Sequence, residues 1–276
     1  MLSPDQTHDV YGCRAPAAVS DFTPVDIGPE STPQARTPSI CEARGSLRRS
    51  GSTSSSATTW AAETLMIGDV DTEHRAAHWQ NVYRTKSTDS VSWYRPHLDL
   101  SLEILTGAGL CAESRLIDVG AGASTLVDDL IARGVRDITV LDVSADALAV
   151  AQRRLGKQGR TPRWHAADLL TAQLPRAGFD FWHDRAVLHF LSDLADTSRY
   201  AQIASDSIAA GGYALISGFA PDGPERCSGL PVTRRSPQDI AALLGPAFEL
   251  EKSRAERHRT PGGAEQSFAY ALLRRR

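Results

Sequence analysis

The chain has 276 residues, an apolar content of 41% and a formal net charge of −3. This length allows one large domain or two small ones, and the apolar content is sufficient for a full hydrophobic core. The weak negative charge gives no electrostatic basis for nucleic acid as a partner, and no apolar run approaches the length of a membrane span.

Residues 1–65 differ in composition from the rest of the chain. They are rich in Ser, Thr, Pro and Ala and contain the run GSLRRSGSTSSSATT. Because they lack apolar periodicity, burial does not offset the entropy cost of ordering them, and we predict a disordered extension. The alternative is that Met66 is the true start of the protein. Both interpretations predict one domain over residues 66–276.

From residue 66 onward, segments with strand and helix patterns alternate. Pro96 and Gly107 predict the start and the end of a helix. Strands are predicted for RLIDVG, DITVLDV, RWHAADL, FDFWHDR and YALISGF, and helices for STLVDDLIARG, ADALAVAQRRL after the cap Ser144, TSRYAQIASDSIAA before Gly211, and SPQDIAALLG. FELEKSRAERH and SFAYALL form a final antiparallel pair. The fold class is therefore α/β: a Rossmann-like, doubly wound, seven-stranded sheet, mostly parallel with one antiparallel strand.

A glycine-rich turn follows the first of these strands. Asp118 ends the strand, and Gly120 and Gly122 lead into the next helix, as in parallel sheets that bind a nucleotide. A dinucleotide fingerprint requires a third glycine at the position of Thr125. This departure disfavours a nicotinamide-dependent oxidoreductase, as does the absence of a Tyr-x-x-x-Lys catalytic pair.

Two further acids lie at or near the ends of the second and third strands. Asp142 has the spacing at which an acid binds ribose hydroxyls, and Asp168 is suited to accept a hydrogen bond from an adenine amino group. Val143 and Leu169 directly follow these acids, and we predict that they bind the cofactor too. Three acids at successive strand ends favour a ligand site over a simple tight connection.

Together these residues resemble the class I S-adenosylmethionine-dependent methyltransferases. Asp118, Gly120 and Gly122 match their motif acid-x-Gly-x-Gly-x-Gly, with Ser124 in the last position. The resemblance extends over roughly residues 74–274 and implies S-adenosyl-L-methionine as the cofactor and methyl transfer as the activity. An acid-rich cleft also suits a cationic sulfonium ligand.

The sequence resembles more closely the methyltransferase-like group that includes elongation-factor lysine methyltransferases. That group has a Trp and a Tyr four residues apart before the core and then another Trp. The matching residues are Trp79, Tyr83 and Trp93. The resemblance implies that they cover the methionine end of the cofactor. The alternative is that they pack in the core or in a lid.

After the fourth strand, that group carries an acid, a lysine and later an aspartate, where this chain has Asp184, Arg185 and His189. We predict that Asp184 and His189 are catalytic residues on the acceptor side. Arg185 is predicted to reach the cofactor carboxylate or the polar network at the strand end. His189 is either a base with a pKa near neutrality or a residue packed with Phe190 and Leu191. The changes from lysine to arginine and from aspartate to histidine favour a small-molecule acceptor over a lysine side chain.

Metal binding is not predicted. The four cysteines form no CxxC pair, and His183, Asp184 and His189 match no common ligand spacing. His183 is expected to have a backbone partner within its strand. Cys227 is expected to line a long loop, FAPDGPERCSGLPVT, that closes over the site, rather than to act as a nucleophile.

The sequence therefore predicts a cytoplasmic methyltransferase that acts on a small molecule or a protein acceptor. Within this class, a protein lysine methyltransferase is the alternative. A second alternative is a non-catalytic sensor or scaffold that binds S-adenosylmethionine. The polar residues Asp184 and His189 favour an enzyme. The oligomeric state is not predicted.

Overall fold

A computed structural model describes residues 73–276. The predictions of a disordered segment over residues 1–65 and of a start at Met66 lie outside these residues. Within them, no helix is long and apolar enough to cross a membrane.

The described helices and strands follow the predicted alternation. The helices are α1 (residues 73–85), α2 (Asp99–Gly107), α3 (Leu126–Ala132), α4 (Ala145–Leu155), α5 (Leu194–Ser207) and α6 (Pro237–Leu244), with short 3₁₀ turns at Gly156–Arg160 and Leu188–Phe190. The strands are β1 (Arg115–Val119), β2 (Asp137–Asp142), β3 (Arg163–Ala166), β4 (Phe179–Arg185), β5 (Ile208–Phe219), β6 (Arg226–Cys227), β7 (Leu230–Pro231), β8 (Phe248–Arg259) and β9 (Glu265–Arg275).

The main sheet has seven strands in the order β3-β2-β1-β4-β5-β9-β8. The first five strands of this order are parallel, and β9 is antiparallel to both β5 and β8. The predicted fold class is therefore confirmed. The strand order reverses between β1 and β4, which is the position where sheets of this kind bind ligands beyond their carboxyl ends.

Apolar side chains cover both faces of the sheet. Along β1, Ile117 belongs to one buried cluster and Leu116 to the other, as the alternation of side chains along a strand requires. The helices that pack on these faces begin at the predicted caps. The Ser144 side chain accepts a hydrogen bond from the Ala147 N–H, and Ser236 forms a capping box with Asp239.

The boundaries of α2 and α5 differ from the prediction. The α2 helix begins at Asp99, three residues after Pro96, and includes Gly107 as its last residue. The α5 helix ends at Ser207 instead of continuing to Gly211. The next residue, Ile208, pairs with Phe179 of β4, so sheet pairing determines this boundary rather than the helical preference of the segment.

Candidate active site

A cavity of about 160 Å³ lies beyond the carboxyl ends of the strands, at the reversal of strand order. Most residues that the sequence singled out line it: Trp79, Tyr83, Trp93, Asp118, Gly120, Asp142, Val143, Asp168, Leu169, Arg185 and His189. Gly122 lies under the Tyr83 hydroxyl and Asp184 is fully buried, and neither lines the cavity.

The glycine turn after β1 has the backbone that only glycine adopts readily. Gly120 and Gly122 have φ angles of 59° and 56°. A Cβ atom on Gly120 would lie 1.9 Å from Val187 Cγ2, and one on Gly122 would lie 2.0 Å from the Tyr83 hydroxyl. Both glycines are thus required by the backbone conformation and by the close approach of neighbouring side chains.

Asp142 fastens this turn to the start of α4. Its carboxylate accepts hydrogen bonds from the N–H groups of Gly122 and Ser144, both at 2.7 Å. Burial raises the pKa of Asp142 to about 6, although the two N–H donors oppose the shift. The carboxylate still borders the cavity and retains lone pairs for ligand hydroxyl groups.

Asp118 belongs to a buried polar chain that the sequence did not predict. Its Oδ1 atom lies 2.7 Å from His183 Nδ1, and His183 Nε2 lies 3.0 Å from the Ser101 hydroxyl. His183 thus has side-chain partners rather than the expected backbone partner. Asp118 Oδ2 is buried and has no partner within residues 73–276. A buried carboxylate oxygen beside a cavity is a position for a donor on a ligand.

Asp168 forms an ion pair with an arginine side chain that the strand pattern did not indicate. Arg75, on α1, has its Nε and Nη2 atoms 2.8 Å from Asp168 Oδ2. The other carboxylate oxygen, Oδ1, accepts the Leu170 N–H at 2.9 Å. The helical spacing of Arg75, Trp79 and Tyr83 places them on one face of α1, so a stripe at i, i+4 and i+8 is the signal that would have found this contact.

The three predicted aromatic residues form one cover over the cavity. Trp79 makes edge-to-face contacts with Trp93 and Phe190, with ring centroids 5.7 and 5.1 Å apart. Tyr83 lies 6.5 Å from Trp93. Burial, together with the charge of Asp142, raises the pKa of Tyr83, so its hydroxyl is neutral at physiological pH.

Asp184 holds the turn after β4 rather than facing the cavity, contrary to its predicted catalytic role. Its carboxylate accepts hydrogen bonds from the Val187 and Leu188 N–H groups and from the Tyr200 hydroxyl, at 2.8, 3.1 and 2.6 Å. These bonds stabilise Ala186 at a φ of 84°, a conformation unfavourable for alanine. Asp184 is therefore a positioning residue, since the turn that it holds presents Arg185 and His189 to the cavity.

Arg185 extends from the end of β4 towards β9. Its Nη1 donates to the Trp93 carbonyl at 3.0 Å and its Nε donates to the Tyr270 hydroxyl at 3.3 Å. The guanidinium carbon lies 4.6 Å from the centre of the Phe268 ring, in a cation–π contact. Arg185 therefore contacts the polar network at the strand end, which is one of its two predicted partners.

His189 is buried, and its environment argues against the predicted role as a base. Burial, reinforced by the charges of Arg185 and Arg235, lowers the pKa of His189 to about 3. The Phe219 N–H lies 3.5 Å from Nδ1, which assigns the proton of the neutral ring to Nε2. Neutral His189 therefore offers an N–H donor, and a proton acceptor with so low a pKa is a weak base.

The loop after β5 covers the same end of the cavity. Its strands β6 and β7 pair as a two-stranded ribbon, and the Cys227 side chain on this ribbon lines the cavity as expected. Burial raises the pKa of the Cys227 thiol to about 11, so the thiol is neutral at physiological pH. Residues 73–276 contain no group of three His, Cys, Asp or Glu side chains placed to hold a metal ion.

The cavity thus has two chemically different halves. The acidic half consists of Asp118, Asp142 and Asp168 with the glycine turn, at the ends of β1, β2 and β3. The basic half consists of Arg185 at the end of β4, His189 in the 3₁₀ turn that follows, Cys227 on β6 and Phe268 on β9.

Sequence comparison relates part of the chain to methyltransferases. Residues 116–212 match the family described as "Methyltransferase domain". The uncharacterized methyltransferase Rv0089 of Mycobacterium tuberculosis is 36% identical over 97 residues, which are 35% of this chain and 46% of that protein. The chain therefore spans about half the length of the curated relatives that it matches.

Solved structures share the fold at low sequence identity. One is 1,6-didemethyltoxoflavin-N1-methyltransferase from Burkholderia thailandensis, with bound 1,6-didemethyltoxoflavin and S-adenosylhomocysteine. It has a TM-score of 0.52 and 19% identity, covering 82% of this chain and 93% of that one. Another is the [4+2]-cyclase SpnF, with a TM-score of 0.53 and 15% identity, covering 72% and 91%. The sequence match relates residues 116–212 to methyltransferases, and the solved structures show the shared fold.

Proposed function

We propose that this protein is a methyltransferase that binds S-adenosylmethionine in the acidic half of the cavity and a small-molecule acceptor in the basic half. The observation that carries the proposal is the unpartnered Oδ2 atom of Asp118, buried beside the glycine turn. This oxygen fits the ammonium group of the cofactor's methionine end, because a buried carboxylate is most stable beside a cation.

The other acidic residues suit the rest of the same ligand. Asp142 faces the ribose hydroxyls, with Gly120 and Gly122 allowing a close approach of the backbone. Asp168 would accept a hydrogen bond from the adenine amino group, and the apolar side chains of Val143 and Leu169 line the same cavity. Trp79, Tyr83 and Trp93 close the cavity over the methionine end.

Bound S-adenosylmethionine supplies a methyl group on a sulfonium, and the lone pair of the acceptor displaces a neutral thioether. The side chains of this site therefore mainly hold the two partners in line and exclude water. The basic half supplies no strong base, because the pKa of His189 is low and the Cys227 thiol is neutral. The acceptor must arrive with a free lone pair.

Two alternatives use the same cavity. A protein lysine methyltransferase would bring a cationic side chain next to Arg185, which is electrostatically unfavourable. A protein that binds the cofactor without transferring its methyl group is the second alternative, since the [4+2]-cyclase SpnF shares this fold and a shared fold does not determine the activity.

Two measurements test the proposal. Calorimetry with S-adenosylmethionine, S-adenosylhomocysteine and NADH is expected to detect only the first two, and tight binding of NADH alone would refute the cofactor assignment. Incubation with methyl-labelled cofactor and a cell extract is expected to label small molecules. Label that is recovered in protein would favour the lysine alternative, and the absence of label would favour a binding protein.

A further inference from the structure

The basic half contains two buried N–H donors with no acceptor within residues 73–276. They are Nη2 of Arg185 and Nε2 of His189, and both residues line the same cavity. Most buried polar groups in folded proteins have a hydrogen-bond partner. Two free donors in one half of a ligand cavity therefore indicate a ligand atom that accepts hydrogen bonds.

Arg185 also lacks a direct counterion among the described residues. Glu256 is close but is already engaged, since it accepts the Tyr270 hydroxyl at 2.8 Å and pairs with Arg95 at 3.1 Å. Arg185 reaches this carboxylate only through the Tyr270 hydroxyl. A partly buried guanidinium without a carboxylate favours a negatively charged ligand.

The position of the His189 ring is fixed on several sides. Phe219 and Phe190 contact it with ring centroids 5.0 and 4.3 Å away, and a Cβ on Gly218 would lie only 3.1 Å from His189 Cβ. The ring cannot turn freely to find another partner for Nε2. Its N–H therefore stays available for a ligand in the cavity.

The walls around these donors are flat and apolar. Phe190 and Phe268 line the basic half, and Phe190 contacts the ring of Trp79 in the aromatic cover. Aromatic faces and edges of this kind favour a planar ligand, which stacks or packs edge-on without loss of internal rotation.

We propose that the methyl acceptor is a small planar organic anion whose carboxylate or phenolate oxygen accepts hydrogen bonds from Arg185 Nη2 and His189 Nε2. This proposal rests on the proposed function, because it assigns the acidic half to the cofactor. Arg185 and His189 are then specificity residues that select the charge of the acceptor.

The test uses benzoate and benzamide, which have nearly the same shape and differ in charge. Each is titrated into the full-length protein, with and without saturating S-adenosylhomocysteine, and followed by the fluorescence of the cavity tryptophans. Benzoate is expected to bind at least tenfold more tightly than benzamide. Equal affinities, or binding of neither probe, would overturn the proposal.

Variants assign this preference to the two donors. Arg185→Gln is expected to weaken benzoate binding roughly tenfold to a hundredfold, as the loss of a charged hydrogen bond predicts, and to leave benzamide unchanged. His189→Leu is expected to weaken benzoate roughly tenfold, whereas His189→Gln keeps an N–H donor and stays within about threefold. Arg115→Gln, at the opposite end of the sheet, is the control for loss of an arginine.

Calorimetry with S-adenosylhomocysteine separates this proposal from the proposed function. Each variant is expected to bind S-adenosylhomocysteine within about threefold of wild type, which also verifies that it is folded. If Arg185→Gln weakens S-adenosylhomocysteine as much as benzoate, Arg185 contacts the cofactor and the inference is wrong. If wild-type protein does not bind S-adenosylhomocysteine, the proposed function fails, while the preference for benzoate is still measured without it.

Discussion

The acidic and basic halves of the cavity are built in different ways. In the acidic half, each key residue lies on or just after a parallel strand, and two of the three acids accept a backbone N–H from two residues further along the chain: Asp142 from Ser144 and Asp168 from Leu170. In the basic half, Arg185 is held by Trp93, Phe268 and Tyr270, which are far from it in the sequence.

The buried polar atoms that lack a hydrogen-bond partner also differ between the two halves. The acidic half has an unpartnered acceptor, Asp118 Oδ2, and the basic half has unpartnered donors on Arg185 and His189. A cavity with this polarity is suited to a cationic group at one end and an anionic group at the other. In the proposed function, the acidic half therefore binds the cofactor and the basic half binds the acceptor.

The largest expected effect on cofactor binding comes from a substitution of Asp118, which has the unpartnered hydrogen-bond acceptor of the acidic half. Asp118→Asn removes the negative charge beside the proposed ammonium position and weakens the bond to His183. We expect the Kd for S-adenosylhomocysteine to rise roughly a hundredfold, for a loss of about 3 kcal/mol. Calorimetry measures this change. Asp180→Asn, which alters an acid near the opposite end of β4, should stay within about twofold, and equal effects in both variants would contradict the assignment.

Asp184 lies beside the cavity without lining it, so its substitution is expected to change stability rather than cofactor binding. Asp184→Ala leaves the Val187 and Leu188 N–H groups and the Tyr200 hydroxyl without their acceptor. We expect the free energy of unfolding to fall by about 2–3 kcal/mol, measured by urea denaturation at pH 7.5. Asp89→Ala, which changes an exposed loop residue, is the control. An Asp184→Ala protein as stable as wild type would return Asp184 to the list of candidate catalytic residues.

The difference between the halves explains what the sequence could predict. The seven-stranded sheet followed from alternating apolar periods, and the glycine turn and acids followed from their positions at strand ends. The contact between Arg75 and Asp168 joins residues 93 apart in the sequence, and no pattern within one strand predicts it. Likewise, the low pKa of His189 depends on burial by Phe190 and Phe219 and on the charge of Arg235, which arise only from tertiary packing.

The pH dependence of cofactor binding sharpens the role of Asp142. Because burial raises the pKa of Asp142 to about 6, its carboxylate is charged above this pH and protonated below it. The charged form is the better acceptor for ribose hydroxyls, so affinity for S-adenosylhomocysteine should fall as the pH decreases through 6, by about tenfold between pH 7.5 and 5. Asp142→Asn should bind more weakly at pH 7.5 and show little of this dependence.

The same pKa shift has the opposite effect on the stability of the ligand-free protein, which decreases as the pH rises. The pKa of Asp142 lies above its usual value of 3.8, so folding disfavours the charged form. Its contribution to the free energy of unfolding is complete below about pH 4 and is lost as the pH rises through 6. Denaturation curves without ligand therefore distinguish a binding effect from a stability effect. If the stability difference between wild type and Asp142→Asn changed in the same direction as affinity between pH 4 and 6, Asp142 would not be the group that titrates.

The smallest expected effect concerns Arg75, the one cation that reaches into the acidic half from α1. Its side chain is 31% exposed, so its ion pair with Asp168 is worth about 0–1 kcal/mol and is screened by salt. Two N–H groups of Arg75 lie against Asp168 Oδ2, so an adenine amino group that approaches this oxygen has to compete with Arg75.

Removal of this competitor should therefore favour the cofactor. Arg75→Gln is expected to tighten S-adenosylhomocysteine binding by about two- to threefold at low salt, and the difference from wild type should disappear at high salt, where the ion pair is screened. Calorimetry at two salt concentrations measures this effect. Weaker binding by the variant at both concentrations would mean that Arg75 remains in place and covers the adenine, so that α1 contributes a cofactor contact as well as the aromatic cover.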